Sequence, residues 1–300
     1  MKTLVIILGP TGVGKTNISL QLSKRYKAPI VSSDSRQVFK ELKIGVASPT
    51  KEELQQAPHH FIATHTIFEN YSAGQYEEEA IGLLEILFQK HETVLLVGGS
   101  MMYIDAVCNG LDNIPQVSDK TREFWKNEYK SNGLEYIQNA LKQLDESHYH
   151  EVDLKNPKRI LHALEICSET GKTFSEFRTG KRKKRNFNII KVGLNRPRAE
   201  LYERINHRVD EMMKQGLLKE VAPLYPFKHL NTLNTVGYKE LFKYMEGEWT
   251  LGFAVDMIKQ DSRRYAKRQL TWFKRDEIIR WFHPESEKDI VEHIEKQLML

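Results

Sequence analysis

The stretch Gly9-Pro10-Thr11-Gly12-Val13-Gly14-Lys15-Thr16 decides how this chain is read. It fills every position of G-x-x-x-x-G-K-[ST], the phosphate-binding loop or P-loop. Before it, residues 2–8 carry Leu4, Val5, Ile6, Ile7 and Leu8 and predict a buried strand. After it, Ile18, Leu20 and Leu22 give Lys15–Tyr26 the pattern of a helix with a polar face. Glycines let the loop turn its N–H groups onto a phosphate, and the helix N-terminus adds partial positive charge. Lys15 supplies a point charge, and the Thr16 hydroxyl is placed to ligate Mg²⁺. The bland alternative is a glycine-rich turn that holds no ligand. The filled motif in its strand–helix context favours a bound phosphate.

The rest of the composition sets bounds. The chain has 300 residues, 40% hydrophobic and 28% charged, with a net charge of +5. That suits a globular protein of one large domain or two smaller ones. Its two cysteines, Cys108 and Cys167, are far apart, which fits a reducing cytoplasm and excludes a cysteine-built zinc site. The apolar start is too short for a secretory leader, and no run is long enough for a membrane span. A cytoplasmic protein without membrane contact is expected.

Beyond the P-loop, residues 28–34 predict a second strand ending at Asp34. Ligands of open parallel sheets sit beyond the carboxyl ends of strands, so Asp34 is expected on the P-loop rim. Residues 35–50 read as loop, 59–66 as a third strand, and 72–91 as a helix capped by Ser72. Residues 93–97 form a further strand that runs into Gly98-Gly99-Ser100. Strands alternating with helices predict a parallel α/β sheet. This last strand lacks the terminal acid that ordinary P-loop ATPases use to hold Mg²⁺. Asp34 is therefore free to act as a base.

Residues 112–185 read as helices only, over 118–130, 133–144 and 156–170. They predict a helical insertion between core segments 1–111 and 186–300. The insertion closes with Arg178, Lys181, Arg182, Lys183, Lys184 and Arg185 and no acid. This run is either a solvated loop or a contact with a phosphate backbone. Residues 187–194 return to the sheet, and a helix follows from Pro197. On it Leu201, Ile205 and Met212 share one stripe with Arg208. An inward arginine needs an anion, either a buried carboxylate or a ligand phosphate. On a helix over 256–273, Arg263, Arg264, Lys267, Arg268, Lys274 and Arg275 fall within an arc of about 140°. Ile258, Tyr265, Ala266, Leu270, Trp272 and Phe273 take the other side. One face is packed and the other is strongly cationic: either a solvated face or, since solvated faces normally mix signs, a site for a polyanion. A strand over 278–282 and a helix over 285–300 complete the expected order.

With these residues in view, the chain resembles the tRNA dimethylallyltransferases, or tRNA isopentenyltransferases, over nearly its whole length. The resemblance rests on the P-loop, on Asp34-Ser35-Arg36-Gln37-Val38-Phe39 and on Pro58-His59-His60. It continues in Arg159-Ile160-Leu161-His162-Ala163-Leu164-Glu165, Thr170-Gly171-Lys172 and Gly237-Tyr238-Lys239-Glu240. Its most distinctive block is Arg264-Tyr265-Ala266-Lys267-Arg268-Gln269-Leu270-Thr271-Trp272-Phe273. The chain departs at Ser100-Met101-Met102, where the family usually has Thr-Gly-Leu, and at Ser48, where a lysine is usual. No zinc finger like the one appended in eukaryotic relatives is expected.

The resemblance implies a P-loop-kinase-like core and transfer of a dimethylallyl group from dimethylallyl diphosphate to tRNA. The acceptor would be N6 of adenosine 37, beside the anticodon, with diphosphate released. It implies Asp34, Thr11 and Arg208 as catalytic residues. Gly9 to Thr16 would hold the diphosphate or a nucleotide, with Mg²⁺ on Thr16. Asp34, Ser35, Arg36, Gln37, Ser100, Arg122, Lys158, Arg159, Ile160, Leu161 and His162 would contact the tRNA anticodon stem–loop. Arg264, Lys267 and Arg268 join them from the basic helix. A monomer is expected. The alternatives are an ATP-dependent small-molecule kinase, which the missing strand-end acid disfavours, and an RNA-binding module without catalysis, which the P-loop and Asp34 disfavour.

Overall fold

The computed structural model describes residues 2–299. The chain forms two compact units: one runs up to Asn109 and resumes at Lys184, and the other is Gly110–Lys183.

In chain order the first unit begins β1 (Thr3–Leu8), α1 (Lys15–Tyr26), β2 (Ile30–Ser32), α2 (Lys51–Gln56) and β3 (His59–His60). It continues with α3 (Ala73–Leu87), β4 (Thr93–Gly98) and α4 (Met101–Asn109). The second unit holds α5 (Asp119–Leu144), α6 (Glu146–Glu151), α7 (Pro157–Thr170) and α8 (Phe174–Phe177). The first unit then resumes with β5 (Asn188–Leu194), α9 (Arg198–Gln215), α10 (Leu217–Val221) and α11 (Lys239–Met245). It closes with α12 (Leu251–Phe273), β6 (Arg280–Phe282) and α13 (Glu287–Leu298).

The six strands form one parallel sheet in the order β3-β2-β4-β1-β5-β6. A parallel sheet is covered on both faces, which is why β1 is apolar without alternation. Leu4, Ile6 and Leu8 join one core, shared with α3, α4 and α10 to α12. Val5 and Ile7 join the other, under α1, α9 and α13. Register aligns the strand ends. Leu8 pairs with Gly98 of β4 and Gly193 of β5, and Ser32 of β2 pairs with Val97. Gly9, Asp34 and Gly99 therefore leave the sheet along one rim.

Several expected boundaries shift. The third strand keeps only His59 and His60, plus an isolated Phe39–His65 bridge. Phe61 and Ala63 take positive φ, which breaks the extension. Ser72 caps α3 in a reciprocal box with Gln75, and α3 ends at Leu87. Pro197 is the cap of α9 rather than its first helical residue. α12 begins at Leu251 because Thr250 caps it, accepting from Phe253 N–H. The short helices α2, α6, α8, α10 and α11 carry no full apolar period and are not visible in the pattern.

The second unit has its own core of Trp125, Ile137, Leu141, Ile160, Leu164, Ile166 and neighbours. The two helices expected over 118–130 and 133–144 are both present along α5, separated by a break at Gly133, where φ is 79°. Buried Asp145 ties α6 to α8: it accepts from His148 N–H at 2.9 Å, Ser175 N–H at 2.8 Å and the Ser175 hydroxyl at 2.8 Å.

Candidate active site

The rim of the sheet opens on a cavity of about 950 Å³ within the first unit. Thr11, Gly12, Gly14, Lys15 and Thr16 line it from the P-loop. Asp34, Ser35, Arg36 and Gln37 line it from the turn after β2. Arg204 and Arg208 enter from α9, and Ser262, Tyr265, Arg268 and Gln269 from α12.

The P-loop is shaped by its neighbours. At Gly12 the φ is +78°, and a Cβ would stand 2.9 Å from Ile205 Cγ1, so only glycine lets α9 approach this closely. Arg204 Nε donates to the Gly12 carbonyl at 3.1 Å. Lys15 Nζ donates to the Gly9 and Pro10 carbonyls, both at 2.9 Å. Burial lowers the Lys15 pKa to about 8, offset in part by Asp34 and reinforced by Arg208. The Thr16 hydroxyl, exposed at the head of α1, has no partner among the described residues.

Asp34 sits in a tight turn. Its Oδ1 accepts from Arg36 N–H at 2.9 Å and Gln37 N–H at 3.3 Å. Its Oδ2 carries no hydrogen bond among the described residues, which leaves one oxygen for a proton. Arg36 is turned to the Thr232 carbonyl at 3.0 Å, and burial lowers its pKa while Asp34 raises it. Gln37 is used internally. Its Oε1 accepts from the Ser32 hydroxyl at 3.2 Å, and its Nε2 donates to Val46 and Ala47 carbonyls at 3.3 and 3.0 Å.

The Arg208 question raised by the sequence resolves in geometry. The buried stripe of α9 is Leu201, Ile205 and Val209, with Met212 packed beside it. Arg208 is half-buried at the cavity wall and forms no hydrogen bond or ion pair among the described residues. Burial lowers its pKa first, Asp34 raises it, and Arg204 lowers it again. It is a guanidinium held toward a cavity without a carboxylate on it.

Ser100, where the family pattern has threonine, keeps a hydroxyl function. Its Oγ accepts from Ser35 N–H at 2.7 Å and donates to Ser35 Oγ at 3.0 Å. Sequence reading gave Gln269 no role beyond its place in the Arg264–Phe273 block. It is 2% exposed on the α12 face read as apolar, and its amide reaches both the P-loop and the end of β4. It also missed Arg204, Tyr265 as a cavity residue, and the wall from Asn234 to Gly237. Burial and then Asp34 push the Tyr265 pKa up to about 12.

The cationic face of α12 is real but not uniform. Arg264, Lys267, Arg268, Lys274 and Arg275 are exposed, whereas Arg263 is partly buried and donates to Asn206. Arg264 also pairs with Asp261 at 3.2 Å, and Arg275 lies over Trp272 at 3.7 Å. The basic run after α8 needs correction at both ends. Arg178 donates to Glu151 at 3.1 Å. Arg185 is an internal residue of the first unit, paired with Glu77 at 2.9 Å and donating to the Ala106 and Val107 carbonyls. Lys181, Arg182 and Lys184 are exposed.

In the second unit Arg122, Lys158, Arg159 and His162 lie at the surface. Ile160 is fully buried and Leu161 packs beside it, so these two serve that unit's core. Among the described residues, one group of ligand-type side chains, Glu200, His283 and Glu285, could gather a metal, but Arg196 already bonds all three. No helix among the described residues is long and apolar enough to cross a membrane.

Known proteins match this arrangement. A family model described as IPP transferase matches residues 37–276. The tRNA dimethylallyltransferase 1 of Bacteroides fragilis (strain YCH46) is 56% identical over 99% of both chains. The tRNA dimethylallyltransferase of Flavobacterium johnsoniae is 46% identical over 98% of this chain and 97% of its own. Among solved structures, the full-length tRNA isopentenylpyrophosphate transferase of Bacillus halodurans is 32% identical, with a TM-score of 0.72 over 100% of this chain and 99% of that one. A eukaryotic dimethylallyltransferase solved acting on tRNA is 25% identical, with a TM-score of 0.78 over 91% of this chain and 70% of its own. Nothing in these matches supports a small-molecule kinase. The P-loop core, the cavity that joins it to Asp34 and the family match converge: this chain belongs to the tRNA dimethylallyltransferases, enzymes that transfer a prenyl group to tRNA.

Proposed function

We propose that the chain transfers a dimethylallyl group from dimethylallyl diphosphate to N6 of adenosine 37 in the tRNA anticodon stem–loop, in the cytoplasm, releasing diphosphate. One observation carries the reading: a single cavity is lined by Thr11, Lys15 and Thr16, by Asp34 and by Arg208. Those are a diphosphate cradle, a base and a cation.

The chemistry follows from the groups. The N6 lone pair attacks the first carbon of the prenyl group, and the carbon–oxygen bond breaks with its electrons passing to the diphosphate. The N6 proton passes to Asp34, whose Oδ2 is open to receive it. Charge grows on the diphosphate as the bond breaks. Lys15 and Arg208 are cations already in place, which is how an electrostatic site lowers a barrier. Lys15 exchanges its loop carbonyls for phosphate oxygens when ligand arrives. The donor set at the head of α1 fits Mg²⁺: a free hydroxyl on Thr16, with phosphate and water supplying the other hard oxygens. When bound, the ion would neutralise part of the diphosphate charge.

For the tRNA, exposed Arg264, Lys267 and Arg268 offer contacts to backbone phosphates, as do Arg122, Lys158, Arg159 and His162 in the second unit. Ser35, Arg36, Gln37 and Ser100 form the turn against which the reacting base would rest. Ile160 and Leu161 support Lys158, Arg159 and His162 from the second unit's own core. The test is direct. Protein, unmodified tRNA and dimethylallyl diphosphate with Mg²⁺ are incubated, and digested nucleosides are weighed. The expected product is adenosine carrying one dimethylallyl group at position 37. ATP in place of the prenyl donor should leave the tRNA unchanged and raise the melting temperature less than dimethylallyl diphosphate does.

A further inference from the structure

We infer that Gln269 is a positioning residue for the transfer: it sets the separation between the diphosphate loop and the Asp34 carboxylate. The inference rests on the activity proposed above.

Gln269 lies on α12 and is 2% exposed. Its Oε1 accepts from Thr11 N–H at 2.9 Å, and its Nε2 donates to the Gly99 carbonyl at 2.8 Å. Thr11 follows β1 and Gly99 follows β4, two strands that pair in register. One amide thus ties together the turns of adjacent strands. The tie continues. Ser100, next to Gly99, holds Ser35 through two hydrogen bonds, and Ser35 is next to Asp34. An unbroken path of hydrogen bonds and single peptide steps therefore joins Thr11 to Asp34 through Gln269, Gly99, Ser100 and Ser35.

A primary amide suits this job, because one end must accept and the other must donate, whereas an ionised carboxylate only accepts. The close approach also depends on Gly99. A Cβ there would lie 2.4 Å from Gln269 Nε2 and 3.1 Å from the Gly9 carbonyl. With its N–H committed to Gln269, Thr11 keeps its hydroxyl for the diphosphate. An attack that needs the amine, the prenyl carbon and the leaving oxygen in line is sensitive to this spacing: about 1 Å of misplacement costs about 10²-fold in rate.

The test uses wild type, Gln269→Leu and Gln269→Glu. The leucine variant removes both bonds at similar size. The glutamate variant keeps the acceptor for Thr11 but turns an oxygen on the Gly99 carbonyl. Four quantities are measured: single-turnover transfer at saturating substrates, tRNA affinity, affinity for inorganic pyrophosphate with Mg²⁺, and melting temperature. Both variants are expected to lose about 10²-fold in rate. Pyrophosphate should bind about tenfold more weakly, the worth of one hydrogen bond's preorganisation. Their tRNA affinity should stay within about twofold, since the exposed cations are untouched. A lowered melting temperature with wild-type rate per folded molecule would overturn the inference and leave Gln269 a packing residue. Should wild type itself transfer nothing, the activity reading falls. Equal pyrophosphate affinities in the three proteins would then overturn the positioning role on their own.

Discussion

Two arginines, one just ahead of α9 and one in its middle, have opposite fates. Arg196, just ahead of the helix, is 8% exposed and fully engaged. Its Nε donates to the Val13 carbonyl at 2.9 Å, and its Nη1 bonds Glu200 and Glu285, with His283 beside them. Arg208, about three turns along, has no carboxylate on it and faces the cavity. The first shows what a structural arginine costs a fold: two acids, a histidine and a backbone carbonyl. The second has been given none of these. A desolvated guanidinium without a resident partner is poised for an anion that arrives. The exposed arginines of α12 make a third class, held in water and available to a polyanion.

The largest effect expected is at the acid that both cavity cations feel. Asp34→Asn should lower single-turnover transfer by about 10²–10⁴-fold, with tRNA affinity changed by no more than a few-fold. A near-wild-type rate would remove Asp34 from the chemistry.

Next comes the contrast itself. Arg208→Lys should lose about 10²-fold in transfer rate, because an ammonium cannot make the planar two-point contact with a diphosphate. Its melting temperature should hold. Arg196→Ala should do the reverse and cost about 1–3 kcal/mol of stability, chiefly by leaving the buried Val13 carbonyl without its donor. Per folded molecule it should lose less rate than Arg208→Lys. The contrast fails if Arg208→Ala melts early and its folded fraction turns over normally.

The pH dependence sharpens the same point. The folded Lys15 value of about 8 lies below its ordinary 10.5. The unfolded chain therefore binds more protons between these values. The burial penalty is present below pH 8 and fades as pH rises toward 10.5. An anionic ligand restores the charged form, so pyrophosphate affinity should fall above pH 8, by up to about tenfold per unit. In Arg208→Ala the midpoint should move up, because the Arg208 charge is one of the influences lowering it. Titrations of pyrophosphate binding between pH 7 and 9.5 measure both.

The smallest effect concerns the exposed class. Arg264→Gln with Arg268→Gln should flatten the log–log salt dependence of tRNA binding by up to about 0.7–0.9 per lost phosphate contact. An unchanged slope would show that this face meets only water.

What was legible in the sequence follows from distance along the chain. The P-loop, its flanking strand and helix, and Asp34 at a strand end are local patterns. So is the position of Arg208 on a helical stripe. Whether Arg208 had a partner could not be read, because a partner is a fact about packing. The Gln269–Thr11 bond joins residues 258 positions apart, and no periodicity announces a polar group on a buried face. Arg185 was misjudged in the same way, as an exposed-looking basic residue that is spent on two carbonyls and an internal acid. Residues 217–245 fold as short helices and turns, stabilised by contacts such as Glu220. Its carboxylate gathers the Lys43, Ile44 and Gly45 N–H groups and the Tyr238 hydroxyl.

The sheet order also dictates a timetable for synthesis. β1 leaves the ribosome first, yet one of its two neighbours is β5, made only after the whole of Gly110–Lys183. The nascent chain therefore carries an apolar strand with an unsatisfied edge while the contiguous helical unit, whose contacts are local, completes itself. Closing that edge waits for Asn188–Leu194, and β6 can join only after β5. Chains stalled between these points should be the aggregation-prone and protease-sensitive ones, and a bound pyrophosphate could protect only chains long enough to have built α9.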